Sequence, residues 1–398
     1  MSNKVILAYS GSLETSVAIH WLKHRLGYEV ITYSADIGGG EELSRLGDQA
    51  VEIGAVAAHI SDLKKRFIQE YAIPALKARA RYQSGYLLAA ALSRPLIVSE
   101  LVKLAVEEGV ALVAHASSPR GNDQVRFQTS VAALSPDLQV IHPPKLWSYK
   151  TKAALVSYAK KHGIPVPDQR ETVYHVDQNI WGNSLQCSEA TEPWEELGEG
   201  AFTSTRRPED APDEAVELEV GFKRGMPVSL DGKSRDALGI IYLLNQLGGK
   251  HGVGRIDTVE DRLIGIKCRM LYEAPAATIL YAGHDALQKV TLSRDILQFQ
   301  EVLSRRYSEL IYNGLWFSEL RRCLDQFFQS IHSYVSGTVH LKLYKGNCTP
   351  TGVSSDYSLY SKKLASVGAG DLFDQGVPAG LAEILSLIQK TEAAHGKG

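Results

Sequence analysis

Across the first 165 residues, short apolar runs alternate with segments of helical spacing, and that alternation limits the fold more than any other feature of the chain. Residues 4–9, 29–35, 55–60, 110–115 and 138–142 are continuous apolar runs, suited to strands buried on both faces. Residues 14–26, 41–53, 63–81, 87–108, 122–134 and 150–162 carry helical periodicity. Strand then helix, repeated, predicts an α/β domain with a doubly wound parallel sheet. Such sheets bind ligands beyond the carboxyl ends of their strands, where the strand order reverses. Ser10–Ser16, Ala35–Gly40 and His115–Gly121 all leave strand ends and are expected to converge on one crevice.

The pattern breaks at Gly163-Ile164-Pro165-Val166-Pro167. Residues 194–214 are polar and rich in Pro and Glu, which predicts a surface excursion. Val216, Leu218, Val220 and Phe222 alternate, predicting an antiparallel strand pair over 216–230. A helix is expected over 235–248, stopping at Gly248-Gly249, with strands near 261–269 and 336–353 and helices around 284–332 between them. Three parts result: 1–165, a second α+β domain over 166–365, and an arm over 366–398. The arm contains an amphipathic helix, 378–393, whose stripe (Leu381, Ile384, Leu385, Leu387, Ile388) suits docking on a partner subunit or on the chain's own body.

A length of 398 residues fits two domains and a tail, and 44% hydrophobic residues can fill their cores. The net charge of -2 supplies no basic field for nucleic acid. No apolar run approaches the roughly 18 residues of a membrane span. Met1-Ser2-Asn3-Lys4 leads straight into a strand, so no secretory leader is expected. Cys187, Cys268, Cys323 and Cys348 lie far apart without Cys-x-x-Cys spacing, so they read as free thiols of a cytoplasmic protein, and no zinc site is expected.

The loop Leu7-Ala8-Tyr9-Ser10-Gly11-Ser12-Leu13-Glu14-Thr15-Ser16 joins the first strand to the first helix. Backbone N–H groups and the positive end of the helix dipole meet there, which suits a phosphate. Ser10, Thr15 and Ser16 add hydroxyl donors, and Glu14 can hold a metal. No Gly-Lys-Ser/Thr closes the loop, so it is not a P-loop. It resembles the Ser-Gly-Gly-x-Asp-Ser/Thr loop of the N-type ATP pyrophosphatases, which split ATP into AMP and pyrophosphate while activating an oxygen as its adenylate. Ser12 stands where that pattern has its second Gly, and Glu14 where it has Asp. A Cβ at a residue of positive φ costs on the order of 1 kcal/mol, so Ser12 is expected to be strained if the position has that conformation. Glu14 adds a methylene, which shifts any Mg²⁺ it holds.

Later blocks carry a more specific resemblance. Gly121-Asn122-Asp123-Gln124-Val125-Arg126-Phe127, His251-Gly252-Val253-Gly254-Arg255-Ile256-Asp257, Tyr312-Asn313-Gly314-Leu315-Trp316-Phe317-Ser318 and Leu343-Tyr344-Lys345-Gly346-Asn347 resemble the argininosuccinate synthase family, collinearly from Lys4 to about Leu364. The resemblance implies a cytoplasmic homotetramer in arginine biosynthesis, an AMP-forming ligase in which ATP adenylates the ureido oxygen of citrulline and the aspartate amine displaces AMP. It implies ATP and Mg²⁺ as cofactors. It implies ATP contacts at Ala8, Tyr9, Ser10, Gly11, Ser12, Glu14, Thr15, Ser16, Ala35 and Ala116, with Mg²⁺ at Glu14. Ser118, Asn122 and Asp123 fall where the family holds aspartate. Tyr86, Asn122, Arg126, Ser184, Glu260 and Tyr272 match citrulline contacts, and Ala91 and His175 stand at two more whose residue type has changed. Asp123, Arg126 and Glu14 are the expected catalytic groups.

Departures gather around these positions. Ala90-Ala91 replaces Thr-Ser, His175 a Ser, Gln186 a Glu and Cys187 a Gly. Ala116 and Pro119 replace glycines, Gln128 a Glu, and Cys268 and Met270 a Ser and a Gly. Buried groups left without partners cost about 1–3 kcal/mol each, so lost hydroxyls weaken citrulline by comparable amounts. The expected activity is therefore the citrulline–aspartate ligation or the same chemistry on a related acceptor. The alternatives are a paralogue that joins aspartate to a different ureido, amide or carboxylate acceptor, and a catalytically impaired regulatory homologue.

Overall fold

Val5, Ile6 and Leu7 have no exposed surface, and they form the middle of β1, Lys4–Ala8, at the centre of the first sheet. The computed structural model describes residues 3–39, 43–83, 85–119, 121–149, 151–166, 174–187, 192–195, 198–366, 374 and 376–396. β1 is flanked by β2 (Glu29–Asp36) and β4 (Leu112–His115); β3 (Ala57–Asp62) and β5 (Gln139–Ile141) lie outside them. The order β3-β2-β1-β4-β5 is parallel throughout and reverses between β1 and β4. Ala8 pairs with Tyr33 on one side and His115 on the other, which brings the ends of β2, β1 and β4 side by side. Helix Leu13–Leu26 packs on one face of the sheet, and Ala89–Glu107 with Asp123–Leu134 on the other.

The second half is built on two antiparallel sheets. One has the order β10-β9-β8-β13-β14, from β8 (Val216–Lys223), β9 (Met226–Leu230), β10 (Lys233–Ser234), β13 (Gly337–Tyr344) and β14 (Asn347–Ser354). The other is β11-β12-β7-β6, from β6 (Tyr174–Asn179), β7 (Gly182–Cys187), β11 (Arg255–Asp261) and β12 (Lys267–Glu273). Helices Ala237–Lys250, Pro275–Thr291, Arg294–Tyr312 and Glu319–Ile331 complete it. One apolar core crosses from Phe67, Leu76, Leu88 and Leu92 into Trp181, Ile240, Tyr281 and Tyr312.

The first sheet matches the apolar runs to within two residues at each end. The second half differs in several places. The helix expected to stop at Gly248-Gly249 continues to Lys250. A Cβ at Gly248 would lie 2.8 Å from the Cβ of Pro275, and one at Gly249 2.3 Å from the carbonyl of Ser204, so close approach rather than termination explains both glycines. The single strand expected near 261–269 is instead the end of β11, a turn over 262–266 with Gly265 at φ 80°, and the start of β12. Hairpin β6–β7 lies where no strand was expected. Its sequence is largely polar, and the Asn179 side chain closes the turn by accepting from the N–H groups of Trp181 and Gly182 (2.9 and 3.2 Å). The helix over 63–81 runs as Lys64–Phe67, a π-helical turn Ile68–Ala72, and Ile73–Lys77. Pro74 has no N–H to give, and the ladder widens just before it.

The polar stretch 194–214 is anchored rather than merely draped over the surface. The fully buried Glu273 carboxylate accepts hydrogen bonds from the backbone N–H groups of Thr203, Ser204 and Thr205. Helix Val377–Ala394 has no buried residue, so its apolar stripe does not dock on the chain's own body among the described residues. No described helix is long and apolar enough to cross a membrane.

Candidate active site

The Ser10–Ser16 loop turns at Gly11, which takes φ 80°. Ser12 has φ -62° and ψ 160°, ordinary extended backbone, so the expected Cβ strain at Ser12 is absent. The residue that needs left-handed freedom is the retained glycine. Ser12 is the N-cap of helix Leu13–Leu26, accepting from Thr15 N–H at 3.4 Å. Its Oγ also lies 3.2 Å from Ser10 Oγ and 3.1 Å from Thr15 Oγ1. Beneath it, Ser16 Oγ donates to the Gly11 carbonyl at 3.4 Å. The loop thus presents hydroxyls and first-turn N–H groups at the positive end of a helix.

Glu14 occupies the first helical turn, half-buried, and no hydrogen bond or ion pair engages it among the described residues. No group of three or more His, Cys, Asp or Glu among the described residues is placed to hold a metal. A single carboxylate beside a phosphate loop does fit Mg²⁺, which takes one or two carboxylates together with phosphate oxygens and water. Ala35 is the last residue but one of β2, and Ala116 follows β4 and is buried, so both lie at the carboxyl ends of neighbouring strands.

Across the crevice, two histidines hold the β4 loop. His142, just after β5, donates from Nε2 to the Ser117 carbonyl at 2.7 Å. His115 Nδ1 lies 2.8 Å from Ser117 Oγ, and the two rings stack with centroids 4.5 Å apart. Burial, reinforced by His142, pushes the His115 pKa down to about 3, and burial also lowers that of His142. Both rings are therefore neutral at physiological pH. The loop they hold leads through the exposed Ser118 to Asn122 and Asp123.

Asp123 opens helix Asp123–Leu134 and is held by two guanidiniums. Arg94 donates to it from Nε and Nη2 (3.0 and 2.8 Å), and Arg126 from Nη1 (2.9 Å). Arg94 also pairs with Asp177 on β6. Burial works against the Asp123 carboxylate, but Arg94 and Arg126 more than reverse it, and its pKa lies below the usual aspartate value. Arg126 is buried, donates from Nε to the Tyr312 carbonyl (3.0 Å), and lies over the Tyr312 ring at 5.0 Å. Gly314 makes this approach possible, since a Cβ there would come within 2.8 Å of Arg126 Cα. The second terminal nitrogen of Arg126, Nη2, is buried without a partner among the described residues.

The far wall is a carboxylate ringed by phenols. Glu260, only 5% exposed, accepts from the hydroxyls of Tyr272 (2.7 Å) and Tyr312 (2.9 Å). Burial raises its pKa above the ordinary glutamate value, against the pull of those hydroxyls and Arg126. Tyr86 stacks on Tyr272 at 4.2 Å, and its oxygen accepts from the N–H groups of Ala90 and Ala91 (2.9 and 3.3 Å). Ser184 pairs with Tyr272 across β7 and β12, and its buried Oγ interacts with the Tyr86 hydroxyl without a well-formed hydrogen bond among the described residues. Asn122 donates to the Tyr312 oxygen at 2.8 Å and accepts from Leu263 N–H at 3.0 Å.

Tyr86, Ala91, Asn122, Asp123, Arg126, Ser184, Glu260 and Tyr272 are thus joined by direct contacts or neighbouring strands in one largely buried cluster. Ser10–Ser16, Ala35 and Ala116 line the crevice at the sheet's carboxyl edge. His175 lies on β6 opposite Gln186, but its side chain falls outside the described residues, as does that of Cys187. Sequence reasoning did not assign Arg94, Asp177, Tyr312 or the His115–His142 pair to the site. Tyr312 opened one of the quoted blocks and His115 one of the three strand-end loops; nothing in the sequence pointed to Arg94, Asp177 or His142.

A parallel sheet whose first strand ends in a loop of hydroxyl and N–H donors, together with a cluster of buried arginine, carboxylate and phenols, fits an α/β nucleotide-dependent enzyme for charged small molecules. A family model described as the arginosuccinate synthase N-terminal HUP domain matches residues 4–165, and the model described as the arginosuccinate synthase C-terminal domain matches 174–392. An argininosuccinate synthase from Desulfitobacterium hafniense is 44% identical over 390 residues, 98% of this chain and 97% of its own. Another from Symbiobacterium thermophilum is 45% identical over 392 residues, 98% of each chain. The chain belongs to the argininosuccinate synthase family.

Proposed function

We propose that this protein is an ATP-dependent C–N ligase that joins citrulline to aspartate, releasing AMP and pyrophosphate. The observation that carries the reading is a pair of poorly matched buried polar groups: Arg126 Nη2, without a partner among the described residues, and Ser184 Oγ, whose contact with the Tyr86 hydroxyl is not a well-formed hydrogen bond, beside the buried Glu260 carboxylate. An α-amino acid supplies a carboxylate for the first two and an ammonium for the third. Arg126 and Ser184 orient the citrulline head, and Glu260 holds its ammonium. The ureido oxygen then attacks the α-phosphorus of ATP, and pyrophosphate departs into the donors of the Ser10–Ser16 loop. Bound Mg²⁺ at Glu14 would neutralise charge on the leaving pyrophosphate. The aspartate amine next attacks the adenylated carbon, and AMP leaves with its electron pair. Ser118 and Asn122 hold the aspartate carboxylates, and Asp123, kept ionised by Arg94 and Arg126, orients its ammonium before a proton is lost.

A changed acceptor is not favoured, because relatives named argininosuccinate synthase align over nearly the whole of both chains. The exposed stripe on helix Val377–Ala394 supports assembly with further copies of the chain, and we assign a cytoplasmic homotetramer. The test is pyrophosphate release from ATP, Mg²⁺ and aspartate, with and without citrulline, alongside detection of argininosuccinate. Release that requires citrulline is expected; release that ignores it would overturn the assignment.

A further inference from the structure

The Ser12 hydroxyl sits among the groups that the loop offers to a phosphate. It accepts from Thr15 N–H (3.4 Å) and from Ser10 Oγ (3.2 Å), and it contacts Thr15 Oγ1 (3.1 Å). Thr15 Oγ1 in turn can donate to the Ser12 carbonyl at 3.1 Å, so the cluster is internally satisfied. These are first-turn N–H and hydroxyl donors of a 14-residue helix, the donors an anion at that terminus would use. The Thr15 bond lies at the long limit of a hydrogen bond and is readily exchanged. A phosphate oxygen is the stronger acceptor, because it is charged. Ser12 has ordinary backbone angles, so rotation of its side chain alone clears the position without moving the loop.

We propose that Ser12 Oγ is an internal stand-in for a phosphate oxygen, occupying the loop's donors until the pyrophosphate end of ATP displaces it. The hydroxyl competes with its ligand: it keeps the loop ordered when empty and weakens retention of pyrophosphate after the reaction. The inference rests on the Ser10–Ser16 loop holding the pyrophosphate portion of ATP.

The test is calorimetric titration of the full-length protein and its Ser12→Ala and Ser12→Gly variants with inorganic pyrophosphate in Mg²⁺, together with thermal unfolding. Competition predicts that Ser12→Ala binds pyrophosphate about three- to tenfold more tightly, the equivalent of one displaced net hydrogen bond, while its unfolding midpoint falls through loss of the N-cap. Tighter binding with lower stability is the signature, since a purely structural serine would lose stability with no gain in affinity. Ser12→Gly, a tolerated N-cap, is expected to shift affinity in the same direction with less loss of stability. Unchanged or weaker pyrophosphate binding in both variants would overturn the proposal and make Ser12 inert or a direct phosphate donor. Ser10→Asp separates the two levels of inference. If it abolishes pyrophosphate binding while Ser12→Ala fails to tighten it, only the Ser12 role falls. If it leaves binding intact, the assignment of the loop falls as well.

Discussion

Replacing Glu260 by glutamine separates binding from stability in this pocket. The substitution keeps volume and an acceptor for one phenol but removes the charge beside Arg126. Two hydroxyls donate to the carboxylate, and bonds to charged acceptors contribute about 1.5–3 kcal/mol each. Holding a buried charge costs several kcal/mol in return, so the net change in folding stability is expected within about 2 kcal/mol of zero. The raised pKa fixes the sign. A carboxyl whose folded pKa exceeds its unfolded value stabilises the fold below the unfolded pKa and loses that contribution as pH rises through the folded value. At neutral pH the native charge is therefore a liability, and Glu260→Gln should hold or slightly raise the unfolding midpoint. Binding moves the other way. Loss of a buried carboxylate from an ammonium contact costs about 3 kcal/mol, which is on the order of a hundredfold in the citrulline KM. The citrulline KM of the unmodified protein should also rise as pH falls, beginning above the range of an ordinary glutamate, and the variant should show no such rise. Steady-state pyrophosphate release across pH, paired with calorimetric unfolding, measures both. A midpoint that drops by many degrees with a citrulline KM changed less than threefold would refute the reasoning and make Glu260 a structural group.

His142→Ala removes the donor to the Ser117 carbonyl, and the aspartate KM should rise about three- to tenfold, one net hydrogen bond, while the citrulline KM holds; substrate-by-substrate kinetics decide this. Glu14→Gln should raise the Mg²⁺ concentration needed for half-maximal pyrophosphate release at fixed ATP, and an unchanged Mg²⁺ curve would remove Glu14 from the metal. Deleting residues 377–398 should lower the assembly mass seen by sedimentation velocity, since it removes the exposed stripe of Leu381, Ile384, Leu385 and Ile388; an unchanged mass would place the assembly surface elsewhere.

The first sheet was legible because strands buried on both faces read as continuous apolar runs, and its carboxyl edge followed from their order. The β6–β7 hairpin was not, because its register is set by the Asn179 side chain and not by alternation. Gly248-Gly249 misled for a related reason: a helix stop and a close packing contact leave the same letters. Individual residue types around the pocket were readable one by one, but their partnerships were not. Asn122 and Tyr312 lie 190 positions apart, and no local pattern announces that one amide will meet one phenol. The strain expected at Ser12 failed because positive φ belongs to Gly11, a distinction backbone geometry makes and composition cannot.

The apolar core that runs unbroken from Phe67 through Trp181 to Tyr312 has a kinetic consequence. Parting the two halves like jaws would expose that core to water, at a cost comparable with the whole stability of a folded domain. Large-scale opening is therefore too rare to serve turnover. Access to the site therefore falls to motions of single side chains and short loops, on a far faster clock than hinge closure.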